Sequence, residues 1–373
     1  MKCDVLVVGA GPSGSMAAKT AAEKDMDVIV IERNKEIGNP VRCAEGINKF
    51  LFENTGIKRD DSFIENRIDG TKIYFYDEAY ELNSDQWQGY TIDRTIFDQY
   101  LAKQAENKGA IFFTDTKATG IKKNGNKWIV KTSSNNEITD IETKVIIGAD
   151  GFESNIGRWA NIKKRWKSDD ICKCYELLLS CPNSAEENKF HMAFGEEFSM
   201  GYAWVFPKKK KVNVGVGVPT ILNAKDALNF YISQYPGVKN ILGKDYCILE
   251  KRGGGIPMAG PIDIHETVGD GIILVGDAAG MVEPITGEGI GPSMISGISA
   301  GEIISSSIIK GSWKKSDLIE YQNKWKNKNY INTTLGESMS AIMELKNTFH
   351  TMFSKKATKQ ERKEFISMIS ELT

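Results

Sequence analysis

Residues 3–14 have the sequence CDVLVVGAGPSG, in which a short apolar run leads directly into a glycine-rich turn. The run 3–8 is rich in Val and Leu, a composition typical of a strand buried in a parallel sheet. Residues 13–24 then read as a helix of small residues, and residues 27–32 as a second buried strand. A strand, a turn, a helix and a strand within about thirty residues form one βαβ unit. The opening therefore predicts a doubly wound α/β domain.

The glycine turn follows the pattern G-x-G-x-x-G at Gly9, Gly11 and Gly14. These glycines allow a tight turn and let the backbone approach a pyrophosphate. The helix N-terminus near Ser13 offers unpaired N–H groups and the positive end of the helix dipole. Glu32 ends the second strand, where a carboxylate accepts hydrogen bonds from both hydroxyls of an adenosine ribose. Because a carboxylate repels a 2′-phosphate, the unit favours FAD or NAD over NADP.

A second anchor follows a later strand, which we predict over residues 271–276. Asp277 stands directly after it, and the sequence EPITGEGIG at 283–291 opens a long apolar helix predicted from Glu288 to Ile309. A carboxylate at the end of such a strand can bind the ribityl chain of a flavin. A helix N-terminus facing the N1–C2 carbonyl edge stabilises the reduced, anionic ring. The two anchors together predict non-covalently bound FAD.

Composition sets the limits of what else the chain can be. Its 373 residues are 41% hydrophobic and 26% charged, with a formal net charge of -1, which is ordinary for a folded protein. This balance gives no reason to expect nucleic acid as a partner. We find no apolar run of about 18 residues and no secretory signal, so neither a membrane-spanning helix nor export is expected. The six cysteines are then expected to be reduced thiols in a cytoplasmic protein.

Strand-like residues dominate 69–83 and most of 165–262, which predicts an inserted antiparallel domain, and the chain beyond residue 313 reads as helical and highly charged. The predicted fold is α/β, or α+β overall: a doubly wound parallel-sheet FAD-binding domain, an inserted antiparallel-sheet substrate domain and a helical C-terminal tail. We place the FAD-binding domain at 1–60, 90–160 and 265–312, the substrate-binding domain at 61–89 and 161–264, and the helical C-terminal region at 313–373.

Both anchors, together with GADG at 148–151 followed by Ser154 and Arg158, resemble the glutathione-reductase-type FAD superfamily. The stretch YTIDR at 90–94 is similar to the branch that holds aromatic hydroxylases, flavin-dependent halogenases and geranylgeranyl reductases. In that branch the arginine of this helix lies beside the flavin and its phosphates. The resemblance therefore implies a cofactor-binding role for Arg94.

The sequence PVRCAEG at 40–46 narrows the resemblance to archaeal geranylgeranyl reductases, which carry a cysteine in this loop close to the isoalloxazine ring. The resemblance implies that Cys43 tunes the flavin, donates a proton or gates ring movement; a buried, inert cysteine is the alternative. It also implies that the following residues contact the cofactor: Arg33, Arg42, Cys43, Ala44, Gly46, Ala118, Gly287, Gly289 and Ile290.

The sequence GYAWVFP at 201–207 is the second narrowing feature. On a strand, Tyr202, Trp204 and Phe206 point to one face and form an aromatic wall. The stretch is similar to the Y-x-W-x-F-P pattern of geranylgeranyl reductases, in which the wall lines the isoprenoid pocket, and NVGVG at 213–217 continues the similarity. An aromatic core of the sheet is the alternative reading of the same periodicity.

The resemblance covers residues 1–310 and implies an FAD-dependent reductase that saturates isolated C=C bonds of geranylgeranyl chains, on archaeal-type glycerol ether lipids or on free prenyl diphosphate. Tyr202 and Trp204 would stabilise positive charge on the alkene by cation–π attraction, and Cys43 and Tyr202 are candidate proton donors. We expect a prenyl lipid substrate, an electron donor (ferredoxin, deazaflavin or NADPH) and peripheral contact with the inner membrane surface. A flavin-dependent monooxygenase or halogenase, and a non-catalytic flavin- or lipid-binding protein, are the alternatives.

Two smaller features have mainly structural interpretations. Cys172 and Cys174 lie two apart on a predicted strand that extends to Cys181, and we interpret them as small core residues rather than metal ligands. The run Lys208–Lys211 lies between two predicted strands and is expected to be a solvated turn. Binding of a lipid phosphate or an anionic membrane surface is the alternative for this run.

Overall fold

The computed structural model forms two compact units: Met1–Pro40, Thr95–Trp166 and Pro257–Leu335 make the first, and Val41–Arg94, Lys167–Ile256 and Gly336–Thr373 the second. The structure describes residues 1–134, 137–163, 165–180, 188–199, 201–243, 246–258, 266–283, 286–326, 354 and 356–372.

Within these residues the strands, in chain order, are β1 (Lys2–Val8), β2 (Val28–Ile31), β3 (Gly46–Asn48), β4 (Ile64–Ile68), β5 (Thr71–Phe75), β6 (Glu78–Leu82), β7 (Gly89–Ile92), β8 (Ile111–Phe113), β9 (Lys117–Asn124), β10 (Lys127–Ser134), β11 (Glu137–Gly148), β12 (Ile171–Ser180), β13 (Phe190–Phe194), β14 (Tyr202–Pro207), β15 (Lys211–Pro219), β16 (Cys247–Pro257), β17 (Val268–Gly269) and β18 (Ile272–Leu274). The α-helices are α1 (Pro12–Ala22), α2 (Leu51–Thr55), α3 (Arg94–Glu106), α4 (Asn155–Trp159), α5 (Ala224–Gln234), α6 (Pro236–Leu242), α7 (Ile290–Ile309), α8 (Lys315–Leu318), α9 (Tyr321–Lys326) and α10 (Lys359–Leu372).

The first unit is built on a sheet with the order β17-β18-β11-β1-β2-β8, to which β10 and β9 are added beside β11. Strands β18, β11, β1, β2 and β8 are parallel, as the opening βαβ unit predicts. Val5, Leu6 and Val7 on β1 are fully buried, because β1 lies in the middle of this sheet. Strands β9 and β10 are joined by a tight turn at the sequence Asn-Gly of residues 124–125, since Asn124 pairs with Lys127 across a two-residue loop.

Helices α1 and α7 of the first unit pack closely side by side. A Cβ atom at Gly297 of α7 would overlap the backbone oxygen of Ser13, and one at Gly301 would lie 2.8 Å from the oxygen of Ala17. Small residues at these positions therefore allow the two helices to approach within backbone contact. As a result, the N-terminal turn of α1 is held beside α7.

The second unit contains a seven-stranded sheet with the order β16-β12-β15-β14-β13-β5-β6 and a smaller sheet, β3-β7-β4. In the large sheet the pairs β12–β15, β15–β14, β14–β13 and β5–β6 are antiparallel, and β13 runs parallel to β5. Helix α5 covers one face, where Leu228 and Tyr231 pack with Val214 and Val216. The predicted fold class, a parallel-sheet domain with an inserted antiparallel one, is confirmed.

The units divide the chain differently from the predicted domains at residues 41–60 and 90–94, which pack within the second unit, and at residues 161–163 and 257–258, which belong to the first. The first difference arises because β3 pairs with β7 in the same small sheet. Helix α10 also lies in the second unit, where Phe365 contacts the ring of Phe75. Within the described part of the chain, no helix combines the length and apolar character needed to cross a membrane.

Candidate active site

The glycine turn between β1 and α1 has the geometry of a phosphate-binding turn. Gly9 has a φ of 107°, and a Cβ atom there would overlap the backbone oxygen of Ala149. Apart from its two chain neighbours, no described residue has an atom within 4 Å of a Cβ atom built at Gly11, the N-cap of α1, and no side chain of the described residues caps that helix. The turn is therefore closed behind Gly9 and open at Gly11, where unpaired N–H groups can meet an anion.

The Glu32 carboxylate is fixed beside this turn. Its two oxygens accept hydrogen bonds from the backbone N–H groups of Ala10, at 3.0 Å, and of Asn34, at 2.9 Å. Carboxylate oxygens have further lone pairs, so the group can still accept hydrogen bonds from ribose hydroxyls. The neighbouring Arg33 is exposed, and Ala118 is buried on β9.

The second anchor lies in the same unit, next to the first. A Cβ atom at Gly276 would lie 2.5 Å from the hydroxyl of Ser13 at the start of α1. The Asp277 carboxylate lies 3.7 Å from the position of a Cβ atom at Gly289, the N-cap of α7. The structure thus brings together residues that are more than two hundred and fifty positions apart in the sequence. The acidic group, the open glycine turn and the two adjacent helix N-termini fit a dinucleotide with a redox ring.

The structure describes the beginning and the end of the loop that precedes α7. Gly287 has a φ of 73° and donates its N–H to the oxygen of Glu283, and Ile290 is buried at the start of the helix. Residues 284 and 285, which belong to the predicted motif, lie outside the described residues, as does Cys181.

Lys163 is a buried residue that sequence reasoning missed. Its ammonium group donates a hydrogen bond to the backbone oxygen of Ala278 at 2.7 Å and lies 3.8 Å from the ring centroid of Trp166. Burial lowers the pKa of Lys163 to about 8, although Asp150 and Asp277 act in the opposite direction. Lys163 therefore supports the turn that carries Asp277.

In the first unit, Asp150 of the GADG motif stabilises the start of helix α4. Its carboxylate accepts hydrogen bonds from the hydroxyl of Ser154, at 2.7 Å, and from the backbone N–H groups of Asn155 and Ile156. Arg158 donates to the backbone oxygen of Ser154. These contacts begin helix α4 immediately after β11.

In the second unit, Cys43 is held on the large sheet by its backbone. Its N–H donates to a carboxylate oxygen of Glu176 at 3.3 Å, and its carbonyl oxygen accepts from the amide of Asn213 at 3.2 Å. Its sulfur accepts from the N–H of Glu45 at 3.2 Å. Burial raises the pKa of the Cys43 thiol, while the Arg94 guanidinium acts in the opposite direction. Arg42 on the preceding position is exposed, and Ala44 is half-buried.

A buried ion cluster fixes the loop beyond Cys43. One carboxylate oxygen of Glu45 accepts from Lys208 at 2.8 Å and from Arg252 at 2.9 Å, and the other accepts from the backbone N–H of Arg94 at 3.1 Å. The expectation that the whole lysine run is a solvated turn is wrong for Lys208, which is 2% exposed. Its charge is tolerated inside the protein because the Glu45 carboxylate replaces water.

The aromatic wall forms as predicted. The ring centroids of Tyr202 and Trp204 are 5.9 Å apart, and those of Trp204 and Phe206 are 6.3 Å apart. Ala203 and Val205 point to the opposite face and are fully buried. Gly46 of the cysteine loop packs against the ring of Phe206. The loop and the wall are therefore neighbours within one unit.

Glu176 is another buried residue that sequence reasoning missed. It lies on β12 opposite Gly215, which in turn pairs with Trp204. It is 3% exposed, and burial raises the pKa of its carboxyl group to about 7, with the Glu45 carboxylate adding to the rise and Arg252 opposing it. The sequence contained one signal, a glutamate within the apolar strand sequence CYELLL.

Residues 2–223 match the FAD binding domain family. The digeranylgeranylglycerophospholipid reductase of Methanocaldococcus jannaschii is 39% identical to this chain over 333 residues, which cover 88% of this chain and 83% of the relative. A crystal structure from Thermoplasma acidophilum, of a protein called geranylgeranyl bacteriochlorophyll reductase-like, is 30% identical with a TM-score of 0.80, covering 100% of this chain and 99% of that one. A flavin-dependent brominase has a TM-score of 0.72 at 17% identity, covering 99% of this chain and 94% of its own, a likeness of fold alone.

Proposed function

Since this chain belongs to the family of FAD-dependent geranylgeranyl reductases, we propose that it saturates isolated C=C bonds in the geranylgeranyl chains of an archaeal-type glycerol ether lipid. A single observation of the structure supports this substrate best: the wall of Tyr202, Trp204 and Phe206 packs beside the loop that carries Cys43. An apolar wall beside the polar loop that carries Cys43 suits a long hydrocarbon substrate that must receive a proton.

We assign the binding of the cofactor to the residues of the first unit. The turn from Gly9 to Gly14 and the N-terminus of α1 would hold the pyrophosphate, Glu32 the adenosine ribose and Asp277 the ribityl chain. The N-terminus of α7, which follows Gly289, would stabilise negative charge on the redox ring. When bound and reduced, FAD supplies a hydride. The roles of the Cys43 loop and of Arg94 toward the cofactor remain predictions from the resemblance.

The substrate alkene is unactivated, so positive charge develops on carbon as it is reduced. The faces of the Tyr202 and Trp204 rings would stabilise that charge by cation–π attraction, by about 0.5–2 kcal/mol for each ring. Trp204 is held in place for this task because its ring N–H donates to the side-chain oxygen of Asn213 at 2.8 Å.

The reaction needs an electron donor that reduces the cofactor, and we propose one of the classes ferredoxin, deazaflavin or NADPH. We further propose a cytoplasmic enzyme in peripheral contact with the inner membrane surface, because a lipid with long hydrocarbon chains partitions into a membrane. Free prenyl diphosphate is the second substrate form that we propose.

The function is tested by anaerobic incubation of the dithionite-reduced FAD enzyme with a digeranylgeranyl glycerophospholipid, followed by mass spectrometry of the lipid. We expect the lipid to gain two hydrogens for each bond saturated, while the flavin absorbance returns without oxygen. The oxidised enzyme is the control and leaves the lipid unchanged. A lipid of constant mass, with hydroxylated or halogenated products once oxygen is admitted, contradicts the proposal.

A further inference from the structure

Saturation of a C=C bond adds a hydride to one carbon and a proton to the other, so the reaction needs a Brønsted acid as well as a reduced cofactor. We propose that this acid is the carboxyl group of Glu176, which lies between the cysteine loop and the aromatic wall. The inference rests on the proposed function and identifies the proton donor of that same reaction.

The position of Glu176 is set by three neighbouring strands. Gly215 separates Glu176 from Trp204 across the sheet, and a Cβ atom at Gly215 would overlap the indole ring and lie 2.8 Å from the Cβ atom of Glu176. The missing side chain lets the indole extend over β15 toward Glu176. On its other side the carboxyl group accepts the N–H of Cys43 at 3.3 Å. Glu176 thus lies next to both features that we assign to the substrate.

The charges around Glu176 favour the protonated form of its carboxyl group and still allow that group to ionise. Arg252 on β16 faces it, but Arg252 and Lys208 both bind Glu45, and within the described residues Glu176 forms no ion pair. The other groups that face it are the Glu45 carboxylate, the thiols of Cys43 and Cys174, and the neutral amide of Asn213. Burial and the Glu45 charge raise the pKa of Glu176 to about 7, close to the pH at which a general acid works best. The Cys43 thiol, whose pKa burial raises above its ordinary value, is a weaker acid.

The proposed step is balanced in atoms and charge. The O–H bond of Glu176 breaks, and its proton forms a C–H bond with one alkene carbon through the π electrons. The other carbon receives the hydride, so the substrate gains two hydrogens and two electrons and the flavin is left oxidised. Glu176 becomes a carboxylate that the Cys43 N–H and the Arg252 guanidinium stabilise, and it takes up a proton from water before the next turnover.

The test compares wild type with E176Q, E176D and the control E53Q, which removes an exposed glutamate on α2. FAD content and dithionite reduction are measured first, and then the anaerobic single-turnover rate with the digeranylgeranyl lipid at several pH values. We expect E176Q to bind and reduce FAD normally and to lose about 100-fold or more in rate. E176D, which keeps an acid, should be faster than E176Q. The wild-type and E53Q rates should fall as the pH rises above about 7, because the acid form of Glu176 is depleted.

If E176Q reduces the lipid at the wild-type rate and with the wild-type pH profile, the inference is overturned. The proposed function is unaffected by that result. If E176Q does not bind FAD, the wild-type pH profile decides, and a rate that stays constant through pH 7 also overturns the inference. A wild-type enzyme that never saturates the lipid disproves the proposed function, and the assignment of Glu176 fails with it.

Discussion

At the scale of single residues, the raised pKa of Glu176 links its ionisation to stability. Its pKa is raised from 4.5 to about 7 by burial, so folding favours the protonated form. The stabilisation is complete below pH 4.5 and is lost as the pH rises through about 7, amounting to about 3 kcal/mol over that window. E176Q cannot ionise, so its free energy of unfolding lacks this pH dependence. The difference in free energy of unfolding, E176Q minus wild type, should therefore be larger at pH 8 than at pH 5. Urea denaturation at both values measures this, and a difference that does not change with pH contradicts it.

Lys208 and Lys209 are adjacent in the sequence and differ in surroundings. The side chains of Lys208 and Glu45 are 3% and 1% exposed in their ion pair, whereas Lys209 is exposed. K208M should lower the free energy of unfolding by about 3 kcal/mol, because it takes one of two cations from a buried carboxylate. K209M should change it by less than about 0.5 kcal/mol. Equal denaturation midpoints for the two variants would mean that the ion cluster does not stabilise the loop.

At the scale of elements, the contact of α1 with α7 determines where the phosphate-binding turn lies. G297A should cost about 1–3 kcal/mol, because its Cβ atom would push the backbone of Ser13 away. The same displacement should weaken FAD binding, measured by flavin fluorescence titration. The control S306A lies on the exposed side of α7 and should alter neither quantity. Tight FAD binding by G297A would show that the helices separate without moving the turn.

The elements of the nucleotide site were predictable because their signals are local. Gly9, Gly14 and Glu32 lie within one βαβ unit, where spacing fixes geometry. The predicted family, FAD as cofactor and the reductase class are confirmed by relatives. The ion cluster was not predictable, since Glu45 is 163 residues from Lys208 and 207 from Arg252. The sequence of a lysine run does not indicate that one lysine is buried. The burial of Lys208 depends on its ion pair with Glu45, which forms only in the folded protein.

At the scale of the whole molecule, FAD binding should add to global stability. At a FAD concentration one hundred times the Kd, wild type should gain about 2.7 kcal/mol in free energy of unfolding. D277A should weaken binding about tenfold, since it removes a charged acceptor, and at the same concentration it should gain about 1.4 kcal/mol. The control D270A removes an exposed carboxylate just before β18 and should gain as much as wild type. Thermal unfolding with and without FAD tests this, and equal gains in all three proteins contradict the role of Asp277.

The backbone attachment of Cys43 has a practical consequence for chemical biology. The amide hydrogen and the carbonyl oxygen that tie this residue to Glu176 and Asn213 belong to the main chain, which every amino acid except proline supplies in full. Serine or selenocysteine, which also supply an acceptor for the N–H of Glu45, can therefore be substituted at position 43 with the loop keeping its course. A redox-active or isotopically labelled side chain introduced at position 43 would report on the chemistry around that position, because the backbone of the loop would not be rearranged.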